Sequence, residues 1–113
     1  MSALPSIPGL PQPSCQRLLA VLQRSTKVQE VWLFGSRAMG RYRTGSDLDL
    51  CLVGEAITHL DRLQLMHAID ELLLPWPVDL ALRHELPEEL LDHLNRVGRC
   101  LWRRPRAQLD LAQ

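Results

Sequence analysis

Two short apolar runs, Val31-Trp32-Leu33-Phe34 and the stretch Asp47 to Val53, stand on either side of a glycine–serine turn, and the second carries aspartates one residue apart. Runs this short, closed by Gly35 and Gly54, read as buried strands rather than helices. On a strand, residues i and i+2 share a face. Asp47 and Asp49 are therefore expected side by side, with Leu48 and Leu50 turned toward a core. Two adjacent carboxylates repel each other unless a proton or a cation lies between them. A hard divalent cation such as Mg²⁺ takes carboxylate oxygens and commonly shares them with substrate phosphates. The turn Gly35-Ser36-Arg37-Ala38 just upstream offers backbone N–H groups and the Ser36 hydroxyl as a phosphate cradle. Together the two elements suggest metal-assisted chemistry on a nucleotide.

The rest of the chain supplies the frame. Pro5, Pro8, Pro11 and Pro13 with Gly9 read as a loose N-terminal arm over residues 1–13. Ser14 is the expected N-cap of a helix whose apolar stripe is Leu18, Leu19, Val21 and Leu22. The first strand is expected over Lys27 to Phe34, followed by a short helix and a polar loop from Arg37 to Gly45. Thr58 with Asp61 resembles a capping pair, and Leu60, Leu63, Met66, Ile69 and Leu73 mark an amphipathic helix behind it. Pro75 and Pro77 break that helix, and Val78 to Leu82 reads as a third strand. Pro87 with Glu88 and Glu89 fits the first turn of a last helix that Gly98 closes. Cys100-Leu101-Trp102 is short enough for a final strand. Helices alternating with strands indicate one α/β (α+β) domain, a sheet covered by helices, over residues 14–104, with a polar tail at 105–113.

Asp79 lies in the middle of the third apolar strand, where an unpaired charge costs several kcal/mol. If that strand neighbours the one bearing Asp47 and Asp49, three carboxylates converge, as in sites where metal ions activate an attacking oxygen and neutralise a leaving phosphate. The alternatives remain a helix cap or an arginine pair for Asp79 and a turn or cap role for Asp47-x-Asp49. An EF-hand is excluded, because the residues after Asp49 are apolar and its glycine and closing glutamate are absent. The turn is neither a Walker A loop, lacking Gly-Lys-Ser/Thr, nor a Rossmann fingerprint, lacking the second and third glycines. Arg37, Arg41 and Arg43 follow it and could hold a triphosphate or a partner's acidic surface; a solvated basic loop is the simpler reading of Arg41 and Arg43. His59, His67, His84 and His93 show no metal-ligand spacing and are expected on helix or protein surfaces. The basic stretch Arg99 to Arg106, which contains Trp102, reads as a solvated terminus or partner surface rather than a nucleic-acid site.

Bulk properties narrow the classes further. The 113 residues suit one domain, and a 46% hydrophobic composition is enough to bury a core. A formal net charge of +0 gives no general support for polyanion binding. Cys15, Cys51 and Cys100 are odd in number and form no Cys-x-x-Cys, which argues against a disulfide framework or zinc ribbon and for a reducing compartment. The first residues have no basic-then-apolar pattern, so no signal peptide is expected, and no apolar run approaches the roughly 20 residues of a membrane span. The expected location is the cytoplasm.

Gly35-Ser36, Asp47-x-Asp49 and the later Asp79 in Val78-Asp79-Leu80 resemble the DNA polymerase beta superfamily of nucleotidyltransferases, and the form Gly-Ser-Arg-Ala…Ser-Asp-Leu-Asp-Leu is similar to its minimal members. The resemblance runs from Val28 to Trp102. It implies a mixed sheet flanked by helices. It further implies that Gly35 and Ser36 contact ATP phosphates, that Asp47 and Asp49 bind Mg²⁺, and that Asp79 completes the metal site or acts as base; from its place beside the turn, Arg37 is expected to help position the triphosphate. Minimal members often pair with a HEPN-domain toxin, for which they are the antitoxin, and some transfer AMP from ATP to a toxin tyrosine. The chain carries no evident second domain for an acceptor, which fits a protein acceptor. Exposed apolar residues on a helix, or around Trp76 and Trp102, would then dock it. Two other functions stay open: an antitoxin that neutralises its partner by docking alone, and a small-molecule nucleotidyltransferase of the aminoglycoside type.

Overall fold

The computed structural model describes residues 5–105. Their elements run α1 (Gln12–Gln23), β1 (Glu30–Phe34), α2 (Gly35–Ala38), β2 (Leu48–Val53), α3 (His59–Asp70), β3 (Val78–Leu82), a 3-10 turn (Arg83–Glu85), α4 (Glu88–Val97) and β4 (Arg99–Arg103). The strands form a mixed sheet in the order β3-β2-β1-β4. β1 is antiparallel to both β2 and β4, and β2 is parallel to β3 through the α3 crossover.

Strand alternation divides the sheet into two faces. Val31 and Leu33 of β1, with Leu48, Leu50 and Leu52 of β2 and Leu80 and Leu82 of β3, are buried in one core with α1 and α3. α1 contributes Cys15, Leu18, Leu19, Val21 and Leu22. The opposite face carries Trp32, Asp49 and Asp79, with α4 packed alongside through Leu94, the one residue it buries.

Several expectations need correction. The segment around Pro5 to Pro11 is not a loose arm. Ile7 is 2% exposed and belongs to the core. The Pro5 carbonyl accepts from Gln12 Nε2 at 2.9 Å and from the Cys15 thiol at 3.6 Å. Four prolines suggest an arm because proline cannot extend a helix or a sheet ladder, but the same stiffness suits a strap pinned by one buried isoleucine. Helix α1 starts at Gln12 with Pro11 as N-cap and no side-chain cap, so Ser14 lies inside its first turn. Proline is tolerated there because first-turn N–H groups have no helical partner. The proposed boundaries within residues 1–4, and the tail beyond 105, lie outside the described residues.

Helix α3 carries the Thr58–Asp61 capping box as expected, but it is rotated from the expected stripe. It buries Leu65 and Ile69, while Leu60 and Leu63 are 64% and 47% exposed. Leu65, Ile69 and Leu72 make an i, i+4, i+7 row of their own, so periodicity alone offered two faces. Leu73 lies beyond the helix with φ +55° and is exposed. Trp76 and Trp102 are half-buried against the core rather than displayed. The basic C-terminal stretch is turned back on the domain. Arg103 Nε pairs with Glu30 at 2.9 Å, and Arg104 donates to the carbonyls of Gln23, Ser25 and Val28 while stacking on Trp102.

Candidate active site

β1 ends where β2 and β3 begin, so one rim of the sheet gathers the turn and the acids. In register, Phe34 lies opposite Asp49 and Asp49 opposite Asp79. Neighbouring strands are about 4.8 Å apart, which brings the Asp49 and Asp79 side chains together on one face. Asp47 precedes β2 by one residue, held by the Leu48 N–H bond to the Pro77 carbonyl at 2.8 Å. Asp47 and Asp79 are exposed and Asp49 is half-buried. Burial, then the charges of Asp79 and Asp47, push the Asp49 carboxyl above its usual range, with His93 acting in the opposite sense. The cluster is thus an electrostatic unit of three anions whose innermost member is the most strained.

Gly35 turns the chain out of β1 with φ +73°. A Cβ there would collide with the Asp49 carboxylate. The glycine is therefore required twice, by a left-handed backbone and by the acid packed on it. Ser36, the next residue of α2, is half-buried on the same rim.

Arg37 differs from its expected place among the phosphate-binding residues. It is 1% exposed, and among the described residues it is the one charged side chain that is buried. Its Nε and Nη2 donate to the Ser46 carbonyl at 3.3 and 2.8 Å, and Nη1 donates to the Pro8 carbonyl at 2.8 Å. The Tyr42 ring covers the guanidinium at 4.8 Å. Arg37 thus ties the N-terminal strap to the residue before Asp47, and its fork is committed to carbonyls. Arg41 and Arg43 are exposed in the loop.

His93 is the residue that sequence reasoning missed. It reaches from α4 to the rim, where its Nε2 accepts from the Gly35 N–H at 3.3 Å and its ring meets Phe34 edge-on with centroids 6.3 Å apart. A signal was available: His93 lies three residues after Leu90 and four before Val97, on the apolar side of an amphipathic helix. His84, by contrast, bonds the Ile57 carbonyl at 3.0 Å, and His67 pairs with Glu71 on the surface.

Three oxygen-donor carboxylates on one rim match the donor chemistry of a hard divalent cation. Among the described residues, no three histidine, cysteine or acidic side chains stand close enough to form a finished cage. The fit is therefore one of donor type and of placement on one rim. A cavity of about 290 Å³ opens farther along the same face, lined by Glu30, Trp32, Val53, Arg83, Leu94 and Asn95.

The sequence pattern of the family described as "Polymerase beta, Nucleotidyltransferase" matches residues 16–107. A Haemophilus influenzae protein described as "Probable protein adenylyltransferase MntA" is 43% identical over 61 residues, 53% of this chain and 54% of that protein. The match thus spans about half the length of that relative. Among solved structures, a toxin–antitoxin complex with AMP-PNP aligns with TM-score 0.66 and 23% identity, covering 91% of this chain and 82% of that one. A complex of tri-AMPylated Shewanella oneidensis HEPN toxin with MNT antitoxin aligns with TM-score 0.64 and 20% identity, covering 88% and 77%. At these identities the structural matches establish the fold, which is the expected mixed sheet flanked by helices.

Proposed function

This chain belongs to the polymerase beta nucleotidyltransferase family, and from that premise we propose that it is a Mg²⁺-dependent enzyme that moves AMP from ATP to a hydroxyl, a tyrosine of a HEPN-type toxin, and so acts as a cytoplasmic antitoxin. The observation that carries the reading is the rim itself: Asp49 in register with Asp79, Asp47 two residues upstream, and Gly35 packed on the Asp49 carboxylate. The likeness to MntA and to MNT–HEPN complexes supports the choice of acceptor.

Asp47, Asp49 and Asp79 would hold the metal, which when bound neutralises charge on the triphosphate. Gly35 and Ser36 would set the phosphates with a backbone N–H and a hydroxyl. The acceptor oxygen forms a bond to the α-phosphorus as the bond to the β-phosphate bridge breaks, and pyrophosphate leaves. The hydroxyl proton passes to Asp79, which is exposed at the rim. The remaining work is positioning. Arg37 serves this only indirectly, by holding the Ser46 carbonyl beside Asp47.

Intact-mass spectrometry of a co-expressed HEPN partner tests the reading. We expect the partner to gain one or more AMP units with wild-type protein and none with Asp47→Asn. An unmodified partner that still forms a complex would instead establish neutralisation by docking.

A further inference from the structure

We propose that His93 is a positioning residue that occupies the Gly35 amide until nucleotide displaces it, so that ATP binding and the α4–turn contact exclude each other. The inference rests on the reading of Gly35 as a phosphate contact, but its evidence is separate. The Gly35 N–H points to a partner in the structure, and that partner is an imidazole nitrogen from 58 residues away rather than another atom of the turn. Because Nε2 accepts, the ring proton is on Nδ1. A main-chain N–H has one hydrogen, so at full strength it serves either His93 or a phosphate oxygen. A phosphate makes the stronger, charge-assisted bond, and exchange runs toward the nucleotide.

The elements around the bond permit the exchange. Helix α4 fully buries Leu94 alone, with Leu91, His93 and Val97 half-buried, and the edge of the His93 ring meets Phe34. A helix with a single fully buried side chain can shift without dismantling the core. The sheet side of the bond is fixed, because Gly35 is wedged between its own positive φ and the Asp49 carboxylate. The adjustable partner is therefore His93. In the ligand-free protein this contact satisfies the Gly35 donor at the first position of α2, which has no helical partner of its own.

The cost of breaking the bond falls on nucleotide affinity. Two substitutions separate the bond from the bulk of the ring. His93→Ala removes both, while His93→Phe keeps an aromatic ring against Phe34 and removes only the acceptor. Both should bind Mg²⁺-ATP about three- to tenfold more tightly than wild type, the span set by the net worth of one hydrogen bond. Without nucleotide, His93→Phe should speed hydrogen exchange at the Gly35 amide, and in wild type Mg²⁺-ATP should shift the His93 Nε2 resonance away from its hydrogen-bonded position. Unchanged or weaker affinity in both variants overturns the proposal, as does tighter binding in only one, or a Gly35 amide indifferent to His93→Phe. A wild-type protein that binds no ATP would overturn the functional reading and this inference together, whereas tight wild-type binding with unaltered variants would overturn only the role of His93.

Discussion

The buried guanidinium of Arg37 and the three carboxylates at the rim, of which Asp47 and Asp49 follow it closely in sequence, are opposite in electrostatic design. Arg37 is enclosed, and three of its N–H groups reach carbonyl oxygens within hydrogen-bond distance. Its charge is spent on structure, joining the N-terminal strap to the loop before Asp47. The carboxylates sit on an open rim with like charges for neighbours, and Asp49 is raised above its usual range by burial and by Asp79 and Asp47. One region satisfies its charge within the chain; the other leaves charge for something outside the chain to satisfy. Charge that a fold balances internally contributes to stability, and charge that it leaves opposed marks where a ligand supplies the balance.

The comparison can be broken most decisively at the rim. Asp49→Asn should lower AMP transfer by at least about 100-fold, the scale for losing a preorganised electrostatic contact, and should abolish the Mg²⁺-dependent thermal stabilisation by ATP. Retention of that thermal shift would show that the carboxylates do not hold the ion. Gly35→Val should be as damaging, because it forces a β-branched residue to φ +73° and into Asp49. Ser36→Ala should cost about tenfold or less, the worth of one hydroxyl contact. Equal transfer rates for Gly35→Val and wild type, measured with labelled ATP and the acceptor, would refute the fit of glycine to acid.

Arg37→Leu addresses the other half. It strands the Pro8 and Ser46 carbonyls, each costing about 1–3 kcal/mol when buried without a partner. Urea unfolding should show a loss of about 3 kcal/mol. A variant with wild-type stability and defective ATP binding would move Arg37 back among the phosphate contacts.

The smallest effect is in pH dependence. Asp49 has a folded pKa above its unfolded one, so it binds its proton more tightly when folded. Its contribution favours folding below the ordinary carboxylate range and is lost as pH rises through the raised value. In chelator, Asp49→Asn should therefore melt higher than wild type at neutral pH, with the gap closing on acidification. Asp61 behaves oppositely: the Thr58 amide, then Lys27, hold it down at about 2, so its stabilising effect is present above the ordinary Asp value and fades only as pH falls toward 2. A gap between the two proteins that widens in acid would contradict the repulsion at the rim.

What the sequence shows depends on how far apart the interacting residues lie. The capping box at Thr58 and Asp61, β3 at Val78–Leu82 and the Pro87-to-Gly98 helix are legible because each is written in neighbouring residues. The convergence of Asp79 on Asp49 could be stated only conditionally, since parallel pairing through a crossover leaves no local mark. The strap around Ile7 is not legible because proline content signals the absence of regular structure, not the absence of packing. The place of His93 is hidden because its partner, Gly35, is 58 residues away, and that of Arg37 because a basic residue after a glycine–serine turn carries no sign of whether it faces in or out. Elements follow from local pattern, whereas the contacts that shape the rim are made across the chain.

The clasp formed by Arg104 bears on how the protein is made. Its backbone N–H bonds the Gln29 carbonyl at 2.8 Å and its side chain reaches Val28, while β4 covers the outer edge of β1. Until the ribosome has released residues 99–104, the strand Glu-Val-Trp-Leu-Phe has an unprotected edge, although every residue it needs from α1 and β2 is already synthesised. Pairing across some 70 residues of sequence is slow to form, and an apolar open edge is a template for association with other chains. The nascent protein therefore passes through an interval in which β1 waits for β4.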